Sequence, residues 1–139
     1  MTRVEFTVLG VPAPQGSKRH VGRGVLVESS KALPAWREAV AWEARRVALE
    51  CPGAPFAGQL HLRVAFRFPM PKSRPAAARR RGWAHKTTAP DLDKLLRALG
   101  DSLQAGGLIA DDAAIASITA TKIETTSWTG AVVTIEARQ

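Results

Sequence analysis

Gln59-Leu60-His61-Leu62-Arg63-Val64-Ala65-Phe66-Arg67-Phe68 alternates between large apolar side chains and polar or small ones. In an extended chain successive side chains point to opposite faces. Leu60, Leu62, Val64, Phe66 and Phe68 therefore share one face, and His61, Arg63 and Arg67 share the other. Residues 59–68 read as a β-strand with one face in a core. The opposite face is basic, and two readings of it stay open: a solvated sheet face, or a surface that presents charge to a ligand.

Either side of this strand the pattern turns helical. Residues 34–50 predict a helix: Leu33, Trp36, Val40, Ala44 and Val47 recur at helical spacing, Pro34 suits a first helical turn, and Cys51-Pro52-Gly53 ends the run. Trp42 points away from that stripe, either half-exposed or against a second subunit. Asp91 to Gln104 predicts a second helix, with Leu92, Leu95, Leu96, Leu99 and Leu103 on one face and Asp93, Lys94, Arg97 and Asp101 on the other. Gly106-Gly107 ends it. Residues 3–10 predict a first strand, and residues 18–27 a short hairpin arm behind a Pro- and Gly-rich loop. Ile115–Glu124 and Ala131–Ala137 predict two last strands, joined as a hairpin through a turn at Thr126–Gly130. Pro69 to Pro90 reads as a long basic loop, with four prolines, six Lys or Arg and no acidic residue. The expected fold is α+β: one domain over residues 1–139, a mixed sheet, and two main helices packed on it in the order β-α-β-α-β-β.

Composition narrows the function. The chain has 139 residues and a net charge of +8. Residues 1–90 hold sixteen basic and five acidic side chains, whereas residues 91–139 hold four and seven. All five aspartates lie between Asp91 and Asp112. A basic body with one acidic nest points to nucleic acid as partner, through counterion release from the phosphate backbone. No apolar run approaches the ~20 residues of a membrane span, and the N-terminus lacks a secretory pattern. The single cysteine, Cys51, builds neither a disulfide framework nor a zinc site. The expected location is the reducing cytoplasm. Arg79-Arg80-Arg81-Gly82-Trp83 joins positive charge to an aromatic ring, a combination suited to phosphate contact and base stacking.

Asp91, Asp93 and Asp112 are the candidate chemistry. Gathered carboxylates repel one another, and Mg²⁺, with Mn²⁺ as a substitute, offsets that cost while leaving room for a phosphate. Lys94 and Arg97 would add positive field. Plainer roles stay open: Asp91 as a helix N-cap, Asp93 as a complement to the helix dipole, Asp93 and Arg97 as a surface ion pair, and Asp111-Asp112 as a turn. The chain from Gln104 to Asp112 is long enough to run back along the helix to Asp91. A second subunit is the other way to bring these groups together.

Pro90-Asp91-Leu92-Asp93-Lys94-Leu95-Leu96-Arg97, followed by Asp111-Asp112-Ala113-Ala114-Ile115, resembles the P-D-L-D-N-L-x-K … D-D-x-Q-[IV] signature of the RusA family of Holliday junction resolvases. Pro14-Gln15-Gly16-Ser17-Lys18-Arg19 stands where many members carry a basic loop, and Trp36 sits in the following helix as their tryptophan does. The similarity covers nearly the whole chain. It implies that Asp91, Asp93 and Asp112 are metal-binding catalytic carboxylates. Arg97 stands at the position of the family's catalytic lysine, Lys94 at that of its asparagine, and Ala114 at that of its glutamine. Arginine is a permanent forked cation, suited to phosphate but a poor proton donor. Lys18, Arg19, Arg79, Arg80, Arg81 and Lys94 are then the expected DNA contacts. The resemblance further implies a symmetric homodimer that makes paired, Mg²⁺-dependent nicks across branched DNA such as a four-way junction. The Arg97 and Ala114 departures keep an alternative open: a degenerate, non-catalytic nucleic-acid-binding module.

Overall fold

The computed structural model describes residues 2–16, 18–20, 26–28 and 31–138. Its order is β1 (Thr2–Leu9), β2 (Lys18–His20), β3 (Leu26–Glu28), α1 (Leu33–Glu50), β4 (Gln59–Pro69), α2 (Ala76–Arg81), β5 (Trp83–His85), α3 (Leu92–Ala105), a 3₁₀ turn (Asp112–Ala114), β6 (Ile115–Thr125) and β7 (Gly130–Arg138). Five strands form one mixed sheet in the order β1-β7-β4-β6-β5, and β2 and β3 form a separate antiparallel pair. The α+β architecture is the expected one, and β2–β3 is the expected hairpin arm.

The alternating strand is the centre of the sheet. β4 lies antiparallel to β7 on one side and parallel to β6 on the other. Leu60, Leu62, Val64, Phe66 and Phe68 are all buried. They share one core with Trp36, Val40 and Ala44 of α1, with Leu95, Leu99 and Leu103 of α3, and with Ala131, Val133 and Ile135 of β7. The helix–helix contact needs a glycine: a Cβ on Gly106 would lie 2.6 Å from the Ala41 carbonyl oxygen, so no side chain fits where the end of α3 meets α1.

Two expectations are corrected. Residues 69–90 are not one loop. The Ala76-Ala77-Ala78-Arg79-Arg80-Arg81 run is helical, and Trp83–His85 pairs with β6. A short run of strong helix formers is stable here because Ala78 is buried and Gly82, at φ 89°, closes the helix in the left-handed conformation. The last two strands are not a hairpin either. They run antiparallel but do not pair, because β4 lies between them. Their connection crosses the end of β4, and Arg67 braces the crossing. Its Nε donates to the Trp128 carbonyl at 3.1 Å, its Nη2 donates to Ser127 Oγ at 2.8 Å, and its guanidinium lies 4.1 Å from the centre of the Trp128 ring. This use of Arg67 accounts for one cation of the basic sheet face.

A buried carboxylate ties the 69–90 segment to the sheet. Glu124 of β6 is fully buried and accepts from Arg74 Nε at 2.5 Å and Nη2 at 3.0 Å, with Lys86 Nζ 3.8 Å away. Hydrogen bonds from Arg74 outweigh the effect of burial and hold the Glu124 carboxyl below its ordinary range. A carboxyl depressed in the folded state stabilises the fold above its unfolded pKa, about 4.3, and loses that contribution as the pH falls through the folded value. Glu124→Gln is expected to lower the melting temperature by several degrees at pH 7, because it strands two cations against a neutral group. Melting curves between pH 7 and pH 3 check this, and the gap to wild type is expected to narrow towards the acid end.

Candidate active site

Helix α3 carries the acidic nest. Burial of Leu95, Ala98, Leu99 and Leu103 fixes its rotation, which leaves Asp93, Arg97 and Asp101 outward at four-residue spacing. Asp91 occupies the N-cap position with extended backbone, yet its side chain makes no capping hydrogen bond. Its carboxylate is 65% exposed, and the closest basic group is Lys94 Nζ at 3.9 Å. The plain capping role is thus not the one it plays. No ion pair joins Asp93 to Arg97 among the described residues.

The approach to Asp91 is held from β6. Lys122 Nζ donates to the carbonyls of Thr88 and Pro90, each at 2.8 Å, and the Lys86 N–H donates to the Lys122 carbonyl at 3.1 Å. These bonds fix the turn from which Asp91 projects. Beside it is a hollow of about 570 Å³ lined by Pro12, Pro14, Phe68, Lys86, Asp91 and Lys94.

Asp112 lies at the other end of the helix. Leu108–Ala110 pairs with Phe56 through bonds of 2.8 and 2.9 Å, and the 3₁₀ turn then returns to α3. The Asp112 N–H donates to Gln104 Oε1 at 3.0 Å, and its side chain packs over Gly100. The chain therefore doubles back only to the level of Gly100. That is nine residues along the helix from Asp91, or about 14 Å. Asp112 instead joins Asp101 and Asp111, which line a second hollow of about 520 Å³ with Arg37. Partial desolvation, then the neighbouring Asp101 and Asp111 carboxylates, push the Asp112 carboxyl above its ordinary range. The structure brings Asp112 to Asp101 and leaves Asp91 and Asp93 at a separate level. Among the described residues no group of three or more His, Cys, Asp or Glu is close enough to hold a metal ion.

Asp101 and Gln15 are the residues that sequence reasoning left out of the site. Gln15 Nε2 donates to Asp101 Oδ2 at 2.6 Å, and the Gln15 N–H donates to the Lys94 carbonyl at 3.0 Å. The loop leading to the β2–β3 arm is thereby clasped along the outer side of α3. At Gly16 the backbone runs at φ 89°, and an added Cβ would meet Arg97 Nη1 at 2.6 Å. Asp101 was legible as the third member of a four-residue spacing with Asp93 and Arg97, whereas nothing local singles out Gln15.

The remaining candidate cations are spread over the surface. Arg79 Nη1 donates to the Pro71 carbonyl at 3.1 Å and Arg81 Nε to the Trp83 carbonyl at 3.0 Å, so each spends one donor on its own segment. Arg80 is exposed. Lys18 and Arg19 lie in β2, whose side chains are outside the described residues.

Like charge packed around Asp112 makes a stability prediction. Asp112→Asn is expected to raise the melting temperature in the presence of a chelator, because it removes one carboxylate from the Asp101–Asp111–Asp112 group. Thermal unfolding at pH 7 checks the direction.

A family model described as Endodeoxyribonuclease RusA matches residues 10–136 of the 139-residue chain. No individually curated protein matches the chain at a significant level. The family's enzymes are endodeoxyribonucleases that resolve Holliday junctions, hydrolases acting on branched DNA and generally dependent on a divalent metal. Nearly the whole domain lies within the match, including α3, both of its flanking carboxylate positions and the strands that hold them. The chain therefore belongs to the RusA endodeoxyribonuclease family.

Proposed function

We propose that this protein resolves four-way DNA junctions by paired, Mg²⁺-dependent nicks, in recombination and repair, as a homodimer in the cytoplasm. The observation that carries the reading is the separation of charge. Asp91, Asp93 and Asp112 are exposed on a chain with net charge +8, and the side chains of Asp91 and Asp112 make no capping bond. Asp91 makes no cap, and it is Asp111, not Asp112, whose side chain caps the 3₁₀ turn by accepting from Ala113 N at 2.9 Å.

The residues suit a divalent cation. The donors are hard carboxylate oxygens, and a cation beside Asp112 would offset the neighbouring Asp101 and Asp111 charges. Asp91, Asp93 and Asp112 would hold the ion; Mn²⁺ would serve as a substitute. When bound, it neutralises charge at the scissile phosphate and makes water a better nucleophile. Within one chain Asp112 stands at the far level of α3, so this reading has a second copy bring its own Asp112 to the Asp91 and Asp93 of the first.

The side chains of this protein do the rest. Arg97 offers a fixed forked cation to the phosphate and stabilises the charge that develops there. It does not supply a proton, so the leaving oxygen takes its proton from water or from Lys94, one helical turn from Asp91. Gln15 and Gly16 keep the loop close over Arg97. Lys18, Arg19 and Lys94 track the backbone near the cut, and Arg79, Arg80 and Arg81 do so further out.

The test is a synthetic four-way junction incubated with wild type, Asp91→Asn and Asp112→Asn in Mg²⁺. Wild type is expected to nick opposite strands, and each variant to lose on the order of 10³-fold in rate while still retaining the junction in a gel shift. Equal nicking by all three overturns the assignment. Tight, salt-dependent binding by wild type without any nicking, in Mg²⁺ or Mn²⁺, favours the degenerate binding module instead.

A further inference from the structure

The outer face of β4 carries polar side chains that no contact above accounts for. The alternating apolar residues of the strand lie under α1 and α3, and Arg67 is engaged at the Trp128 crossing. His61 and Arg63 remain on the face away from the helices. Register places their neighbours: His61 lies beside Ser117 of β6 and Glu136 of β7, and Gln59 lies beside Arg138. Together with Arg63 these residues line a hollow of about 170 Å³, and every one of them is polar.

The hollow holds unspent hydrogen-bond donors. His61 Nδ1 and Ser117 Oγ are 2.6 Å apart. A neutral imidazole and a hydroxyl carry one N–H and one O–H, and their mutual bond uses one of them. The pair therefore keeps one donor in either tautomer. Arg63 is exposed, and among the described residues no hydrogen bond or ion pair engages its guanidinium. Arg138 has one ionic partner among them, Glu136 Oε2 at 3.9 Å, which is beyond hydrogen-bond reach. Glu136 also has Arg3 opposite it on β1. Two guanidinium groups thus line the hollow against one carboxylate.

Such a lining suits an anion that only accepts hydrogen bonds. Forked guanidinium donors match phosphate oxygens two at a time. Small-molecule pockets run to ~300–1,000 Å³, so this smaller hollow admits one phosphate group and not a whole nucleotide. The chain also sets its distance from the candidate active site. Ser117 follows Asp112 by five residues, which span at most ~17 Å. A DNA strand rises ~3.4 Å per phosphate, so a strand at Asp112 reaches the hollow within about five phosphates.

We propose that this hollow is a second phosphate site, which grips the DNA backbone on the sheet face away from α3. It presupposes the family's action on DNA and the functional reading's placement of Asp112 at the cut, and it adds a contact which that reading does not contain. A grip of this kind is indifferent to base sequence and fixes the direction in which the bound DNA leaves the site.

Binding of a fluorescently labelled four-way junction, measured by anisotropy in EDTA, tests this without any cleavage. Arg63→Gln combined with Arg138→Gln is expected to weaken binding ~10-fold or more at low salt and to reduce the slope of log K against log salt by about 1. Arg45→Gln combined with Arg46→Gln, which removes two exposed cations from α1, is expected to change affinity less than ~2-fold. Methylphosphonates, which remove the charge of one phosphate at a time, then locate the contact. One position is expected to weaken wild type and to leave the Arg63 and Arg138 double variant unaffected. Should that variant fail to fold, Ser117→Ala, at an exposed position, is expected to cost ~3-fold in affinity with the salt slope unchanged. A folded variant that binds like wild type, or methylphosphonate effects that are the same in both proteins at every position, overturns the second site and leaves junction cleavage standing. Inorganic phosphate that shifts the His61 NMR signals while junction affinity ignores these substitutions overturns it too, and assigns the hollow to a small anion. A wild type that retains no junction at low salt overturns both readings.

Discussion

Three leucines set the rotation of α3 and so decide which of its side chains face outward. Leu95, Leu99 and Leu103 are fully buried in the core shared with β4, β7 and α1. Turning the helix would expose these leucines at about 1.5–3 kcal/mol each, so its outer face is not free to choose. Asp93, Arg97 and Asp101 are outward because the leucines are inward. The N-terminus of the same helix presents Asp91, and Gly100 on its flank receives Asp112. One apolar stripe thus orders an acidic row about three turns long on an otherwise basic protein.

What holds this row in place is polar and comes from elsewhere in the chain. Lys122 fixes the entry to Asp91 from β6, Gln15 fixes Asp101 from the N-terminal loop, and Gln104 receives the backbone of Asp112. Glu124, Arg74 and Lys86 anchor the 69–90 segment that precedes the helix. These contacts leave Asp91, Asp93 and Asp112 exposed. Partial desolvation, followed by the neighbouring Asp101 and Asp111 carboxylates, raises the Asp112 carboxyl above its ordinary range.

The parts of the fold that a periodic pattern can encode were legible in the sequence. Strand β4 and helices α1 and α3 follow directly from the spacing of their apolar residues, and the parallel β4–β6 pairing was allowed by the intervening helix. Pairing order was not legible. β6 and β7 are separated by four residues and look like a hairpin, yet β4 intervenes, and the side chain that braces their connection is Arg67, fifty-eight positions before Thr125. The α2 helix was hidden among prolines whose turn geometry only the tertiary fold reveals. Of the proposed site, Asp91, Asp93, Arg97 and Asp112 come from the resemblance to the family signature. Gln15 and Lys122 were not legible, because each acts there through long-range hydrogen bonds that leave no local pattern.

In the proposed reading, the separation of Asp112 from Asp91 along α3 means that one chain does not complete the active site. Mixing two inactive variants tests it most directly. Asp91→Asn and Asp112→Asn, unfolded together and refolded, form mixed dimers in which one site has both of its carboxylates and the other has neither. Single nicks on a four-way junction are expected to reappear in the mixture, at a level set by the fraction of mixed dimer. A mixture no more active than either variant alone would contradict it.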